Sequence, residues 1–254
     1  VDDTVEKIMN SIGDPKIISL GTELWESAEL KKLRDLRTHE EYCWTLTPFA
    51  LATVFETDKA VNFLTYLDAD LWFASDPDDL LTEITNDPHG VFITQHAFSA
   101  ELSHLSVFGR FNVQFLSIRR SNGIEILEKW RQQCAEWCFA RLEDSKFGDQ
   151  KYLDDWTENY PELVTVGSPT SRFQGPWNAA RFKPQEAVTF HFSSLKIISK
   201  RLIRLAGKNY PIPKRHLEDI YRPYVRDLEV AEKYVSEFLR LSQTPLDRHS
   251  PIRF

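Results

Sequence analysis

The sequence predicts a layered α/β domain, with a mainly parallel sheet flanked by helices and a helical C-terminal extension. Three observations predict it. Short apolar runs of strand length alternate with longer helical patterns between residues 16 and 192. Hydrophobic residues make up 42% of the 254 positions, enough for a substantial core. One of the runs, Phe63-Leu64-Thr65-Tyr66-Leu67, passes straight into Asp68-Ala69-Asp70, as expected where an open α/β sheet meets a ligand at strand carboxyl ends.

The elements follow in order. Lys16-Ile17-Ile18-Ser19-Leu20 reads as a short strand, and Glu23 to Leu36 as a charged helix or helical pair. Glu41 to Phe55 reads as a mostly buried helix, broken or started around Pro48. After the strand at 63–67, Ser75-Asp76-Pro77 is expected to cap a short helix reaching Ile84, with proline at the first position. Gly90 to Thr94 and Phe111 to Ile118 are apolar strands, the second ending at Arg119-Arg120. Ser121-Asn122-Gly123 reads as a turn into a long helix from Ile124 to about Leu142. Leu163 to Val166 and Val188 to Phe192 are late strands.

Beyond Phe192 the pattern becomes helices punctuated by Pro211, Pro213 and Pro223, followed by an irregular tail holding Pro245 and Pro251. Leu228, Ala231, Tyr234, Val235, Phe238 and Leu239 form a stripe suited to packing on the main body. Residues 1–195 are therefore read as the core, and 196–254 as a basic, helical region packing on it.

A net charge of −7 argues against general nucleic-acid binding. The charge is uneven: Lys196, Lys200, Arg201, Arg204, Lys208, Lys214 and Arg215 fall in a stretch without an acid. That stretch suits phosphates or a peripheral contact with an anionic membrane face, and equally a solvated helix face. Cys43, Cys134 and Cys138 are odd in number, which favours a reducing cytosol. Ile126, Leu127, Trp130, Cys134, Trp137 and Cys138 recur at helical spacing, so the latter two cysteines read as core. No run is long enough to span a bilayer, and no signal peptide pattern opens the sequence.

Asp68 and Asp70 carry the chemistry. Residues i and i+2 of an extended strand share a side, so two carboxylates can be presented together. Hard oxygen ligands with room for more suit Mg²⁺ or Mn²⁺ bound jointly with a substrate's phosphates. The plain alternative is a turn whose aspartates bond their own backbone.

Several segments, in this order, resemble bacterial glycosyltransferases of the GT-A fold, near glycosyltransferase family 8 and the sugar transferases of polysaccharide gene clusters. They are Glu41-Tyr42-Cys43-Trp44-Thr45-Leu46-Thr47-Pro48, Thr65-Tyr66-Leu67-Asp68-Ala69-Asp70-Leu71, Gly109-Arg110-Phe111-Asn112-Val113, Lys146 through Trp156, Pro176-Trp177-Asn178, and Phe190-His191-Phe192-Ser193-Ser194-Leu195-Lys196. The resemblance spans roughly residues 1 to 240.

It implies a Rossmann-like mixed sheet and transfer of a sugar from a nucleotide diphosphate sugar, UDP-sugar foremost, to a glycan or lipid-linked acceptor, in polysaccharide or lipopolysaccharide assembly. By the resemblance, Asp68, Asp70 and His191 hold the metal, and Asp68 and Lys196 face the diphosphate. Asn112 belongs near the donor sugar. Asp149 and Gln150 belong beside the sugar ring, at the reacting centre, with retention of anomeric configuration implied. Trp177 and Asn178 are expected to line the donor or acceptor pocket.

Each residue has a structural reading too: His191 as a core histidine, Asn112 as a turn asparagine, Asp149 as a helix N-cap, Trp177 as packing. The sequence departs from the family in three places. Trp44 stands where an arginine is common, Gln114 stands where glycine ends an Asn-x-Gly segment, and Val1-Asp2-Asp3 resembles the end of the second strand. On that last reading a first strand and helix are expected to be missing, with a sheet edge left uncovered.

Two rival functions remain at this stage. One is a haloacid-dehalogenase-type phosphatase, which also begins with a strand and Asp-x-Asp and which Gly148-Asp149 with Asp154 superficially matches. The other is a catalytically silent sugar-nucleotide-like binding module.

Overall fold

The computed structural model describes residues 3–21, 27–199, 202–207 and 210–241. The chain is a mixed α/β structure whose helices flank two small sheets, with a helical C-terminal segment. The first sheet has the order β1-β4-β3-β5, made of Phe63–Leu67 (β1), Val91–Gln95 (β3), Phe111–Arg119 (β4) and Val164–Val166 (β5). The second has the order β2-β7-β6, from Leu71–Phe73 (β2), Phe173–Gln174 (β6) and Thr189–His191 (β7).

The expectation of a mainly parallel sheet fails. Only β3 with β5 and β6 with β7 run parallel, because β4 enters antiparallel between β1 and β3. That insertion still leaves β1, β3 and β5 parallel to one another, so their carboxyl ends share one edge.

Helix α3 (His39–Thr57) and helix α5 (Arg120–Glu136) cover one face of the first sheet. Val91 and Ile93 of β3 point toward them, into a core with Leu51, Phe55, Leu127 and Trp130. Phe92 points the other way, where it meets Phe115, Phe173 and the buried residues Leu80 and Ile84 of α4 (Asp78–Asn86). This is the alternation a twice-covered strand requires.

Strand β4 breaks the alternation once. Phe111, Val113, Leu116 and Ile118 all face the helices, while Phe115 faces α4. The register against β3 shifts between Phe92 and Thr94 accordingly. Such a bulge re-aims a strand at its end, and this one lies beside Asp68.

Several boundaries differ from expectation. Helix α3 begins at a capping box, Thr38 with Glu41, and runs through Pro48 without breaking. Proline removes one helical bond, but buried Thr45, Thr47, Leu51, Ala52 and Phe55 hold the helix on both sides of it. Its C-terminal end is closed by Arg120, which donates to the carbonyls of Phe55, Asp58 and Val61.

Ser121-Asn122-Gly123 is not a turn. Helix α5 starts directly at Arg120, and it ends at Glu136 rather than near Leu142. Cys134 and Cys138 are both in the core, as their spacing suggested, with Cys138 just past the helix end. At α4 the N-cap position falls on Pro77 without a side-chain cap; Asp76 before it accepts from the Asp78 N–H, and Ser75 donates to the Ala187 carbonyl. Pro77 accordingly precedes the first helical residue rather than occupying it.

Lys16 to Leu20 forms no strand; it pairs with no other segment among the described residues, and Ile18 is 79% exposed. Of the expected strand end, Asp3 begins helix α1 (Asp3–Ile12), while Val1 and Asp2 lie outside the described residues. Part of the expected helix at 23–36 is present as α2 (Ala28–Asp35), capped by Ser27.

After β7 the chain makes a hairpin where helices were expected, Lys196–Ser199 (β8) with Leu202–Arg204 (β9). Helix then resumes through Lys214–His216, a π-turn at Leu217–Tyr221 and the long Arg222–Leu241. The π-turn packs on the second sheet, with Ile220 and Tyr221 against Phe190 and Phe192. The C-terminal stripe is only half buried: α1 lies against this helix, and Ser11 Oγ meets the Tyr234 hydroxyl at 3.0 Å. Lys200, Arg201, Lys208 and the tail from 242 onward lie outside the described residues. No described helix is long and apolar enough to cross a membrane.

Candidate active site

The carboxyl ends of β1 and β3 and the start of β4 open into one cleft of about 830 Å³. This is where an α/β sheet with parallel neighbours exposes unpaired strand ends to a ligand. Asp68, Asp70 and His191 line it, and their ligand atoms lie within 4.8 Å of one another.

Backbone hydrogen bonds assemble the group. β1 stops at Leu67, and Asp68-Ala69-Asp70 forms a turn closed by the Leu71 N–H on the Asp68 carbonyl at 3.0 Å. The two carboxylates are thus presented by the turn that links the two sheets, not by strand alternation. The bulge in β4 delivers the Gln114 carbonyl to the Asp68 N–H at 3.0 Å. On the other side, Leu71 pairs with His191, and the Phe192 N–H donates to the Asp70 carbonyl at 2.9 Å. The register of β2 on β7 therefore places the imidazole beside both aspartates.

The His191 Nε2 lies 2.8 Å from Asp70 and 3.5 Å from Asp68, with its side chain 12% exposed. Its Nδ1 is buried without a protein partner. Tyr66 donates its hydroxyl proton to Asp68 Oδ1 at 2.7 Å. Burial raises the Asp68 pKa, and Asp70 adds to the rise; His191 and Tyr66 oppose it. Burial also penalises the Asp70 carboxylate, but its hydrogen bond and charge interaction with His191 prevail, and its pKa falls. Two crowded carboxylates and an imidazole form a donor set that a divalent cation fits, since it would neutralise the charge that burial penalises.

Asp149 lines the same cleft at 5% exposure. Burial, reinforced by the Asp68 charge, lifts its carboxyl to about 8. Asp149 occupies the N-cap position considered from the sequence, ahead of the 3-10 turn Gln150–Asp155, but its side chain makes no cap hydrogen bond there. Its backbone carbonyl accepts from the Trp130 indole at 3.0 Å, which ties it to the core. Before it, Gly148 has φ +52°, and a Cβ there would sit 3.2 Å from the Trp44 ring. Trp44 thus forms a cleft wall, with Phe147 beside it.

The other expected residues separate clearly. Asn112 lines the cleft, and its Oδ1 accepts from the Gln114 N–H at 2.7 Å, bracing the bulge. Gln114 itself points inward, with neither amide atom partnered. Gln150 lines the cleft but spends its amide on the Phe108 carbonyl at 2.9 Å. Trp177 lines it at 3% exposure, edge-on to His191 and His96, with its indole N–H unpartnered. Lys196 lines it from the hairpin.

Asn178 does not. It is fully buried and bonds the Gly175 N–H and the carbonyls of His96 and Phe173. It braces the wall that carries Trp177 and His96, with both amide N–H groups spent on backbone carbonyls.

Sequence reading missed Tyr66, His96 and Arg204 as cleft residues. His96 had a signal: a polar residue just past the buried strand β3. Burial holds its imidazole down at about 3, with the nearby His191 adding to the effect, so it is neutral. The late motif of a haloacid-dehalogenase phosphatase is also absent, since residues 137–148 contain only an isolated bridge between Glu143 and Lys146 and no strand.

No protein-family model matches the chain. It is 27% identical over 219 residues to the uncharacterized protein YfnD of Bacillus subtilis (strain 168), covering 80% of this chain and 70% of that one. It is 26% identical over 220 residues to the uncharacterized protein YfnF of the same organism, covering 78% and 71%. Among solved structures, it resembles a glycosyltransferase involved in glycosylation of the major capsid of PBCV-1, with a TM-score of 0.41, 11% identity, and 74% and 82% coverage of the two chains. It also resembles apo mouse xyloside xylosyltransferase 1, with a TM-score of 0.40, 16% identity, and 67% and 66% coverage. At likenesses this low, function is read from the site's own residues.

Proposed function

We propose that this chain is a GT-A-type glycosyltransferase that moves a sugar from a nucleoside diphosphate sugar to an acceptor hydroxyl with the help of Mn²⁺ or Mg²⁺. The observation that carries the reading is the convergence of Asp68, Asp70 and His191 in a cleft that is also lined by a buried acid, Asp149, and by aromatic rings. Asp68, Asp70 and His191 would hold the ion, which when bound supplies charge neutralisation for a departing diphosphate.

The chain's own groups have separate tasks in this reading. Tyr66 fixes the Asp68 carboxylate through its hydroxyl. The faces of Trp44, Phe98 and Phe147 suit a nucleobase or the C–H surface of a sugar. Asp149 sits where a carboxylate can favour positive charge growing on a sugar ring. Gln150 positions the loop around Phe108 and Gly109 rather than the substrate. Retention of configuration, a UDP-linked donor and a lipid-linked or glycan acceptor in polysaccharide assembly are the finer parts of the proposal. A neighbouring anionic membrane would suit the basic hairpin.

The test is a mass-spectrometric screen of the purified chain against UDP- and GDP-sugars with Mn²⁺, scoring transfer to added glycans and slow hydrolysis of the donor. Asp68→Asn and Asp70→Asn should each abolish turnover while leaving the circular-dichroism spectrum intact. Either variant turning over normally at saturating Mn²⁺ overturns the assignment. Absence of any metal-dependent thermal shift with UDP or GDP in the wild-type chain would favour a silent module.

A further inference from the structure

The β8–β9 hairpin places two cations directly opposite each other. Lys196 and Arg204 are register partners in this antiparallel pair, so their side chains leave the same face with Cβ atoms about 5 Å apart. Both line the cleft that holds Asp68, Asp70 and His191. Neither makes an ion pair with an acid among the described residues, in contrast to Lys151 with Asp154 and Arg172 with Glu83. Like charges facing each other across a hairpin oppose its formation. The hairpin pairs with no other strand among the described elements, so nothing within the sheets offsets that repulsion.

We infer that Arg204 is a diphosphate-binding residue, forming with Lys196 a two-cation clamp in the cleft that the carboxylates also line. The inference rests on the donor reading above and adds a residue to it. An anion between the two side chains converts their repulsion into two attractions. The chemistry divides between them: the guanidinium offers a planar fork that fits two phosphate oxygens, while the ammonium acts as a point charge. The same cleft is lined by Asp68, Asp70 and His191, which suit a cation. A cleft that holds both a cation site and two unpaired cationic side chains matches a metal–diphosphate unit better than it matches either ion alone. Tyr210, which follows the hairpin, also lines it.

The experiment compares wild type, Arg204→Gln, Arg204→Lys and Lys196→Gln. The probes are UDP, GDP and inorganic pyrophosphate, each with Mn²⁺, and Mn²⁺ alone, by calorimetric titration. Arg204→Gln should weaken UDP and pyrophosphate binding about tenfold or more, as expected for loss of charge-assisted hydrogen bonds. Mn²⁺ binding alone should be unchanged. Arg204→Lys should recover part of the loss, and the salt dependence of UDP binding should become shallower in Arg204→Gln. Arg204 is exposed on a hairpin, and removing one of two like charges should leave the ligand-free melting temperature equal or raised.

If Arg204→Gln binds UDP and pyrophosphate as wild type does, the inference is overturned while the donor reading stands. If wild type binds pyrophosphate through Arg204 but transfers no sugar, the inference stands and the donor reading falls. If wild type binds none of the three probes with Mn²⁺, both fall.

Discussion

Replacing Asp149 with asparagine should stabilise the metal-free protein by an amount that grows with pH. The carboxyl is 5% exposed, and burial, followed by the charge of Asp68, raises it to about 8. Its own backbone N–H, that of Gln150 and the Thr47 hydroxyl pull in the other direction without prevailing. Proton counts give the sign. Below about pH 4, folded and unfolded chains both hold the proton, and this group adds no pH dependence. Between about pH 4 and pH 8 the unfolded chain releases it while the folded chain keeps it, so wild-type stability falls as pH rises. The slope is about 1.4 kcal/mol per pH unit, which amounts to about 4 kcal/mol by pH 7. Asparagine keeps the shape and an acceptor oxygen but never ionises, so it escapes this cost.

Urea unfolding in EDTA at pH 5, 6 and 7 checks the idea. The stability difference between Asp149→Asn and wild type should widen by about 3 kcal/mol across that range. Saturating Mn²⁺ should narrow the gap, because a cation held beside Asp68 cancels the second cause of the shift. Parallel curves for the two proteins in EDTA would refute the reasoning. Strongly raised carboxyl pKa values cluster at functional sites, which is what the role proposed for Asp149 requires.

Two other substitutions test the scaffold and the site. In Gly123→Ala, the new Cβ would stand 2.3 Å from the Gly90 carbonyl oxygen and 3.0 Å from both the Gly90 carbonyl carbon and Ile118 Cγ2. Alanine's better helix propensity should therefore be outweighed, giving a net loss of about 1–3 kcal/mol by urea denaturation; a stabilised variant would show that α5 can move off β3. In Tyr66→Phe, Asp68 loses its 2.7 Å donor, and Mn²⁺ affinity measured by electron paramagnetic resonance should fall about tenfold or more. Unchanged affinity would mean that Asp68 needs no such brace.

The elements legible in the sequence are those whose burial is dictated by short-range pattern. β1, β3, β4 and β5 appear close to where their apolar runs stand, and the one-residue errors at their ends follow from turns rather than from periodicity. Ser121-Asn122-Gly123 misled because Gly123 has a different purpose: it lets α5 approach the Gly90 backbone, which no local signal reveals. The basic stretch from Lys196 lacks the alternation of a half-buried strand, so the β8–β9 hairpin was invisible. Lys16 to Leu20 has strand composition but no partner segment among the described residues, and composition alone does not make a sheet.

By itself the sequence determined the metal-suited residue types, their place at a strand end, and an α/β core large enough to carry them. Only the tertiary structure decided that β2 and β7 pair in a register that sets His191 against Asp70, that a bulge in β4 holds Asp68, and that Asn178 faces backbone instead of the cleft. Residue chemistry is a local property. Convergence is not, because it depends on hydrogen-bond registers between segments more than a hundred positions apart, such as Leu71 with His191.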